Sequence, residues 1–368
     1  MCSKHSDNKT RFIYGDMTED SSPASHLYVA MTTNVAQTTG GNTMTSSSQR
    51  GIEFYFRCAV IVVALVATAA NGLVLYALFA SKQHKKLIVI VHQIIVELFT
   101  SSATLLIYFL KFFYIYFTGS VGYWLCALLY GEGLLWLGNS ASIFSLTIIT
   151  IERYLKIVYP VWSKNKLKIW MIYSAMAFAW IISVIAFVGE RFPHSIVING
   201  VCLAFVTLNN YPAMVTIIIY KYLAYYVIPI FIFVFCYWRI LLVVRRQARV
   251  MAGHSAAASS AAQAPSNQIQ TNVIKTMILV CALFTISWTP INVCGAIAYI
   301  YQVESEVMYY VTTFIAFSYL CTNPFVYATK FNPVKEVLLR MIPCKKTSEG
   351  NAGTGTGQAA TNRTKRTK

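Results

Sequence analysis

Residues 54–80 read FYFRCAVIVVALVATAANGLVLYALFA, with Arg57 near the start as the sole charged side chain. A helix rises 1.5 Å per residue, so about 20 apolar residues cross the roughly 30 Å of a hydrocarbon core. The run is continuous rather than alternating and longer than a barrel strand, which predicts a spanning helix. Working outward, six further runs of this kind lie near 87–117, 124–158, 168–190, 212–246, 270–301 and 307–330. The fold class that follows is an all-α membrane protein, a bundle of seven transmembrane helices over residues 54–330. Composition agrees: 57% of the 368 residues are hydrophobic and 12% charged, about half the charge of a soluble domain.

Thirty Lys and Arg stand against 13 Asp and Glu, a net charge of +17. The position of those charges matters more than their sum. Lys82, Lys85 and Lys86 follow the first run. Arg153, Lys156, Lys164, Lys166 and Lys168 follow or end the third. Arg239, Arg245, Arg246, Arg249 and Lys275 surround the loop after the fifth, and nine more lie beyond the seventh. That places 22 of the 30 on one side, the cytoplasmic one by the positive-inside rule. The N-terminus is then outside, the C-terminus inside, and the expected location is the plasma membrane. The charge excess is topological and gives no reason to expect a nucleic-acid partner.

Residues 1–53 are polar and predict a disordered extracellular segment with no cleavable signal peptide. Asn8-Lys9-Thr10 is an N-glycosylation acceptor there. Residues 252–266, AGHSAAASSAAQAPS, read as a flexible cytoplasmic linker. Residues 331–344 predict a short amphipathic eighth helix, with Cys344 as a palmitoylation candidate, and 345–368 a disordered tail.

Polar residues within spans are costly and mark function or a helix contact. Asn71, Glu97 and Asn323 lie mid-way along the first, second and seventh runs, at depths that allow hydrogen bonds across the bundle. Pro229, Pro290 and Pro324 interrupt the fifth, sixth and seventh runs, where a lost N–H makes a pivot. Arg153, at the cytoplasmic end of the third, has Glu152 beside it as a partner; the plainer alternative is an interface anchor. No HExxH, Ser/His/Asp or metal-ligand spacing appears, and His84, His92 and His194 form no set, so no enzyme is expected.

Several short motifs fall in helix order: Asn71 in NGLVL; Glu152-Arg153-Tyr154 followed by Pro160; Trp180; Pro229 with Tyr237; Phe284, Trp288 and Pro290 in FTISWTP; and Asn323-Pro324-Phe325-Val326-Tyr327. Together they resemble the rhodopsin-like family of G-protein-coupled receptors over residues 54–345. The resemblance implies a heterotrimeric G protein as partner, with arrestin besides. Coupling would fall to Glu152, Arg153, Tyr154, Pro160, Val161, Trp162, Tyr237, Asn323, Pro324 and Tyr327. Phe284, Trp288 and Pro290 would form the activation switch about which the sixth helix swings outward. A disulfide between Cys126 and Cys202 is implied as well, as is a sodium pocket at Glu97, Ser142 and Asn323.

Departures from the family pattern shape these expectations. Glu97 replaces an Asp, Cys126 precedes Arg153 by two residues more than usual, and Gln270 stands where relatives place an acid. Amine receptors of the family carry an Asp where this chain has Leu135, and light receptors a retinal-linking Lys where it has Phe317. A peptide or polar small molecule is therefore the expected ligand, taken in the outer half of the bundle. Lys111, Glu132, Leu135, Asn139, Lys221, Tyr225, Trp288, Asn292 and Phe317 are the candidate contacts. The competing reading of Glu132 is a structural pair with Lys111 or Lys221. The competing function is a transporter or channel, motivated by Glu97 and Glu132 within helices.

Overall fold

The computed structural model describes residues 43–84, 87–190, 192, 194–204, 211–254, 264–301 and 305–341. Asn8, Cys344, and most of the linker between the fifth and sixth helices lie outside the described residues. Among the described residues, six helices are long and apolar enough to cross a membrane, over Arg50–Ala80, Ile88–Leu110, Gly133–Val158, Ile169–Gly189, Ile219–Gln247 and Ile274–Ala298. The seventh pass is built in three pieces: α-helix Glu306–Ser318, a 3-10 turn Tyr319–Cys321, and α-helix Thr322–Lys330. A short helix, Asn332–Met341, follows it. Val334 on that helix is fully buried, and Val337 and Leu338 pack against the bundle core, while Lys335 and Glu336 are exposed. Its amphipathic pattern thus lays it against the bundle.

The first helix packs along the second, the second along the third, and the third along the fourth and fifth; the seventh closes back on the first. The second and third are the most enclosed, with 61% of each span buried against 22% for the fourth. Lipid solvates the rest, which is why the fourth helix is apolar all round. Most of the polar side chains that matter sit on the two enclosed helices, where neighbouring helices supply partners that lipid cannot.

Several boundaries differ from the reading of apolar runs. The first helix begins at Thr43, ahead of the apolar stretch. The second ends at Leu110, although the chain stays apolar to Phe117. The third pass is not one helix from 124. It comprises a short helix Gly119–Leu125, a π turn Cys126–Tyr130, and then Gly133–Val158. Glu132, between the last two, is left-handed at φ 57°. A π turn holds an extra residue, so this entry is where the added length between Cys126 and Arg153 is taken up. The fifth helix carries a π turn at Leu223–Val227, just ahead of Pro229; proline has no N–H with which to continue the α ladder.

The chain between the fourth and fifth helices forms an antiparallel hairpin, Ser195–Ile198 with Val201–Ala204. Asn199 and Gly200 turn it at φ 51° and 78°, the two positive values that a type I′ turn needs. Asn-Gly between apolar residues was the signal available for it in the sequence.

Candidate functional site

A buried polar centre joins the second, third and seventh helices. Glu97 Oε1 accepts from Ser142 Oγ at 2.6 Å, Gln93 Nε2 at 2.8 Å and Asn323 Nδ2 at 2.9 Å. The three residues expected to converge do so. Gln93 was not anticipated, although it lies one helical turn before Glu97, where side chains meet. Its Nε2 also donates to Ser142 Oγ at 2.8 Å. Glu97 Oε2 and Gln93 Oε1 are buried without a hydrogen-bond partner among the described residues, so the pocket offers orphaned oxygens that suit a small cation.

Asn71 makes its bond across the bundle outside this centre. Its Nδ2 donates to the Ala67 carbonyl at 2.9 Å and to the Leu320 carbonyl at 3.3 Å. Leu320 lies four residues before Pro324, so its carbonyl has no helical N–H to receive. In an apolar bundle an unpaired carbonyl costs several kcal/mol, and Asn71 fills the vacancy.

At the Arg153 end of the bundle, Glu152 is buried and pairs with Arg153, Nε to Oε2, at 3.1 Å, and also with Lys156. The Arg153 contact lacks hydrogen-bond geometry, so charge rather than a directional bond holds the guanidinium. Tyr154 stacks edge-on with Tyr159 and tilts towards Phe235 of the fifth helix. Pro160 opens the short helix Pro160–Lys166, on which Val161 and Trp162 are exposed. Tyr237 bridges helices: its hydroxyl lies 3.2 Å from Thr150 Oγ1 and 3.7 Å from Cys281 Sγ. Tyr327 is buried, its hydroxyl without a partner. Nothing in the motif spacing marks Thr150 or Cys281.

Above the Glu97 centre, Phe284 packs on Phe233, Trp288 and Tyr319 at centroid distances of 6.0, 6.1 and 5.5 Å. Trp288 also lies edge-on to Trp136 at 6.4 Å, and Pro290 follows inside the same helix, Ala264–Tyr301, which runs through it without interruption. Leu135, Asn139, Trp288 and Phe317 line a single cavity of about 10 Å³, room for about one water. Asn292 Nδ2 donates to the Trp288 carbonyl. Lys221 and Tyr225 lie apart from this cavity, Tyr225 packing against Phe144 and Tyr220. Four of the nine candidate contacts thus share this cavity.

Lys111 and Glu132 form the structural pair, Nζ to Oε1 at 2.5 Å, with side chains 18% and 10% exposed. Tyr108 Oη donates to the same oxygen at 3.1 Å, and Trp136 Nε1 to Oε2 at 3.2 Å. Lys111 also sits 4.7 Å above the Tyr108 ring. A carboxylate this enclosed needs such company, and its contacts explain why a glutamate occupies a left-handed position. Nearby, Cys126 and Cys202 are disulfide-bonded and tie the hairpin to the π turn. Trp180 Nε1 donates to His92 Nε2 at 3.1 Å, and His92 Nδ1 meets Ser145 Oγ at 3.0 Å, so His92 is a structural bridge between helices.

Residues 70–327 match the family model described as 7 transmembrane receptor (rhodopsin family). The chain belongs to this family. It is 26% identical over 294 residues to green-sensitive opsin-1 of Carassius auratus, covering 76% of this chain and 79% of that protein. It is 23% identical over 245 residues to G-protein coupled receptor 15 of Mus musculus, covering 59% and 60%. With adenosine receptor A3 of Bos taurus it shares 22% over 213 residues, 57% of this chain and 66% of the other. A rhodopsin-family receptor explains the order of motifs along the bundle, and membership disfavours the transporter reading.

Proposed function

We propose that this receptor binds an extracellular peptide or polar small molecule at the disulfide end of the bundle and activates a heterotrimeric G protein at the Arg153 end. The orientation puts the N-terminus outside and the C-terminus in the cytoplasm of a plasma-membrane protein, supported by the basic residues gathered at the Arg153 end. The observation that carries the reading is Arg153 itself: charge-paired to buried Glu152, beside the exposed Val161–Trp162 face. A guanidinium held without directional bonds can be released to a G-protein segment entering the cleft. Arrestin is a second partner for the same face.

Ligand binding acts as a shift between conformations, limited by the ligand's differential affinity for them. Trp136 and Trp288 link the outer charge cluster to Phe284, and opening requires the sixth helix to leave Tyr237. Although relatives include an opsin, Phe317 has no amine with which to form a Schiff base, which speaks against a retinal-type ligand. We also assign to Glu97, Ser142 and Asn323, with the orphaned Gln93 oxygen beside them, the holding of a sodium ion. The ion would supply a positive charge that neutralises the buried carboxylate; Gln93 and Ser142 orient that carboxylate from its other oxygen.

Arg153→Ala tests the reading. Surface expression should be unchanged, while ligand-independent and ligand-driven G-protein activation both fall to background. Normal activation by this variant overturns the assignment.

A further inference from the structure

The second helix ends at Leu110, yet the chain beyond it, KFFYIYF at 111–117, remains apolar. Twenty-three residues already span about 34 Å, enough for the hydrocarbon core. Phe117, at the end of this stretch, is buried against Tyr130, but the residues between are not folded inward. Phe112 and Phe113 are 41% and 54% exposed, and Tyr114 and Tyr116 are 77% and 64% exposed. Phe54 and Tyr55 extend the same face from the first helix, Phe54 meeting Phe112 edge-on at 5.8 Å.

A segment standing in water would leave the end of its helix to be hydrated. Here the polar groups at the end of the helix, from Leu110 to Phe113, find protein partners. Tyr130 Oη donates to the carbonyls of Leu110 at 3.1 Å and Phe113 at 2.8 Å. Arg57 Nη1 donates to the Lys111 carbonyl at 2.7 Å and its other nitrogen pairs with Glu53. The Lys111 charge is neutralised by Glu132, and the Phe117 N–H is held by the Gly200 carbonyl at 2.9 Å. Capped carbonyls, paired charges and outward aromatic rings are what a lipid boundary demands of a turn, and Tyr is enriched at that depth because its ring and hydroxyl suit the two sides.

We propose that residues 112–116 are a membrane-seated turn, its aromatic rings inserted into the headgroup–acyl boundary of the leaflet at the disulfide end. Only the name of that leaflet, the outer one, rests on the orientation proposed above. The occupant of this face is phospholipid, not a second copy or the N-terminal segment.

The test uses the full chain in phosphatidylcholine/phosphatidylglycerol nanodiscs, with a nitroxide attached at Tyr114→Cys and, as water reference, at exposed Asn165→Cys; the unsubstituted protein supplies the background. Collisions with dissolved oxygen and with a water-soluble nickel chelate are compared. A turn about 5–10 Å into the boundary should raise the oxygen-to-nickel ratio about tenfold over the reference. Nickel-dominated relaxation at Tyr114→Cys places the turn in water and overturns the proposal. Low collision rates with both probes mean that protein covers it, and overturn it as well. Neither ligand nor G protein enters the measurement, so failure of the signalling assignment leaves it interpretable.

Discussion

Replacing Lys111 by Met removes the cation from a carboxylate whose side chain is 10% exposed. Breaking a buried pair from one side costs about 3–5 kcal/mol, because the surviving charge is stranded. The partial exposure of both side chains puts the expected cost near the lower end, about 3 kcal/mol. Glu132→Gln strands Lys111 instead and leaves one carbonyl oxygen for the Tyr108 and Trp136 donors, for a cost of about 2–3 kcal/mol. The double variant strands no charge, so it should be more stable than the sum of the singles by about 2 kcal/mol, a factor of roughly 30 in the folding equilibrium. Folded fraction against SDS mole fraction in mixed micelles, followed by tryptophan fluorescence for all four proteins, measures this. Costs that add to within about 0.5 kcal/mol would show that the two side chains do not interact, and would refute the account of Glu132 given above.

A methyl group at Gly138 would lie 2.3 Å from Thr100 Oγ1, so Gly138→Ala should lower the melting temperature in detergent, and adding Thr100→Ala should restore part of it; no rescue would mean the clash lies elsewhere. Thr150→Val removes the hydroxyl beside Tyr237, and the cost of about 1 kcal/mol should appear as several-fold higher ligand-independent G-protein activation; unchanged basal activity would show that the contact does not restrain the sixth helix. If the Glu97 pocket holds sodium, sodium chloride should raise the melting temperature above that in potassium chloride, and Glu97→Gln should abolish the difference; a difference surviving in the variant locates the ion elsewhere.

Run length predicted seven passes because a lipid-solvated helix needs little besides apolar residues in sufficient number. The convergence of Glu97, Ser142 and Asn323 was legible since each is costly in a bilayer and must meet a partner. Interruptions were hidden for the same reason that spans were visible. From 105 to 117 the chain is apolar apart from Lys111, and hydropathy does not distinguish a helix from a capped turn that follows it. From 124 to 158 it conceals both the π turn and left-handed Glu132, whose conformation depends on Lys111, Tyr108 and Trp136, residues brought there by the fold. Asn71 was read correctly as a contact across the bundle, but its partner was not legible, because the acceptor is a main-chain carbonyl exposed by a proline far along the chain.

That carbonyl has a consequence for motion. A proline normally loosens its helix by deleting one rung of the ladder; at Leu320 the rung is rebuilt with an amide borrowed from the first helix. The seventh helix then has no private hinge. Flexing at Pro324 must stretch a bond anchored in another segment, so the two helices move as a coupled pair or the bond breaks first. The first helix is thus a brake on the seventh, and its grip is one asparagine wide.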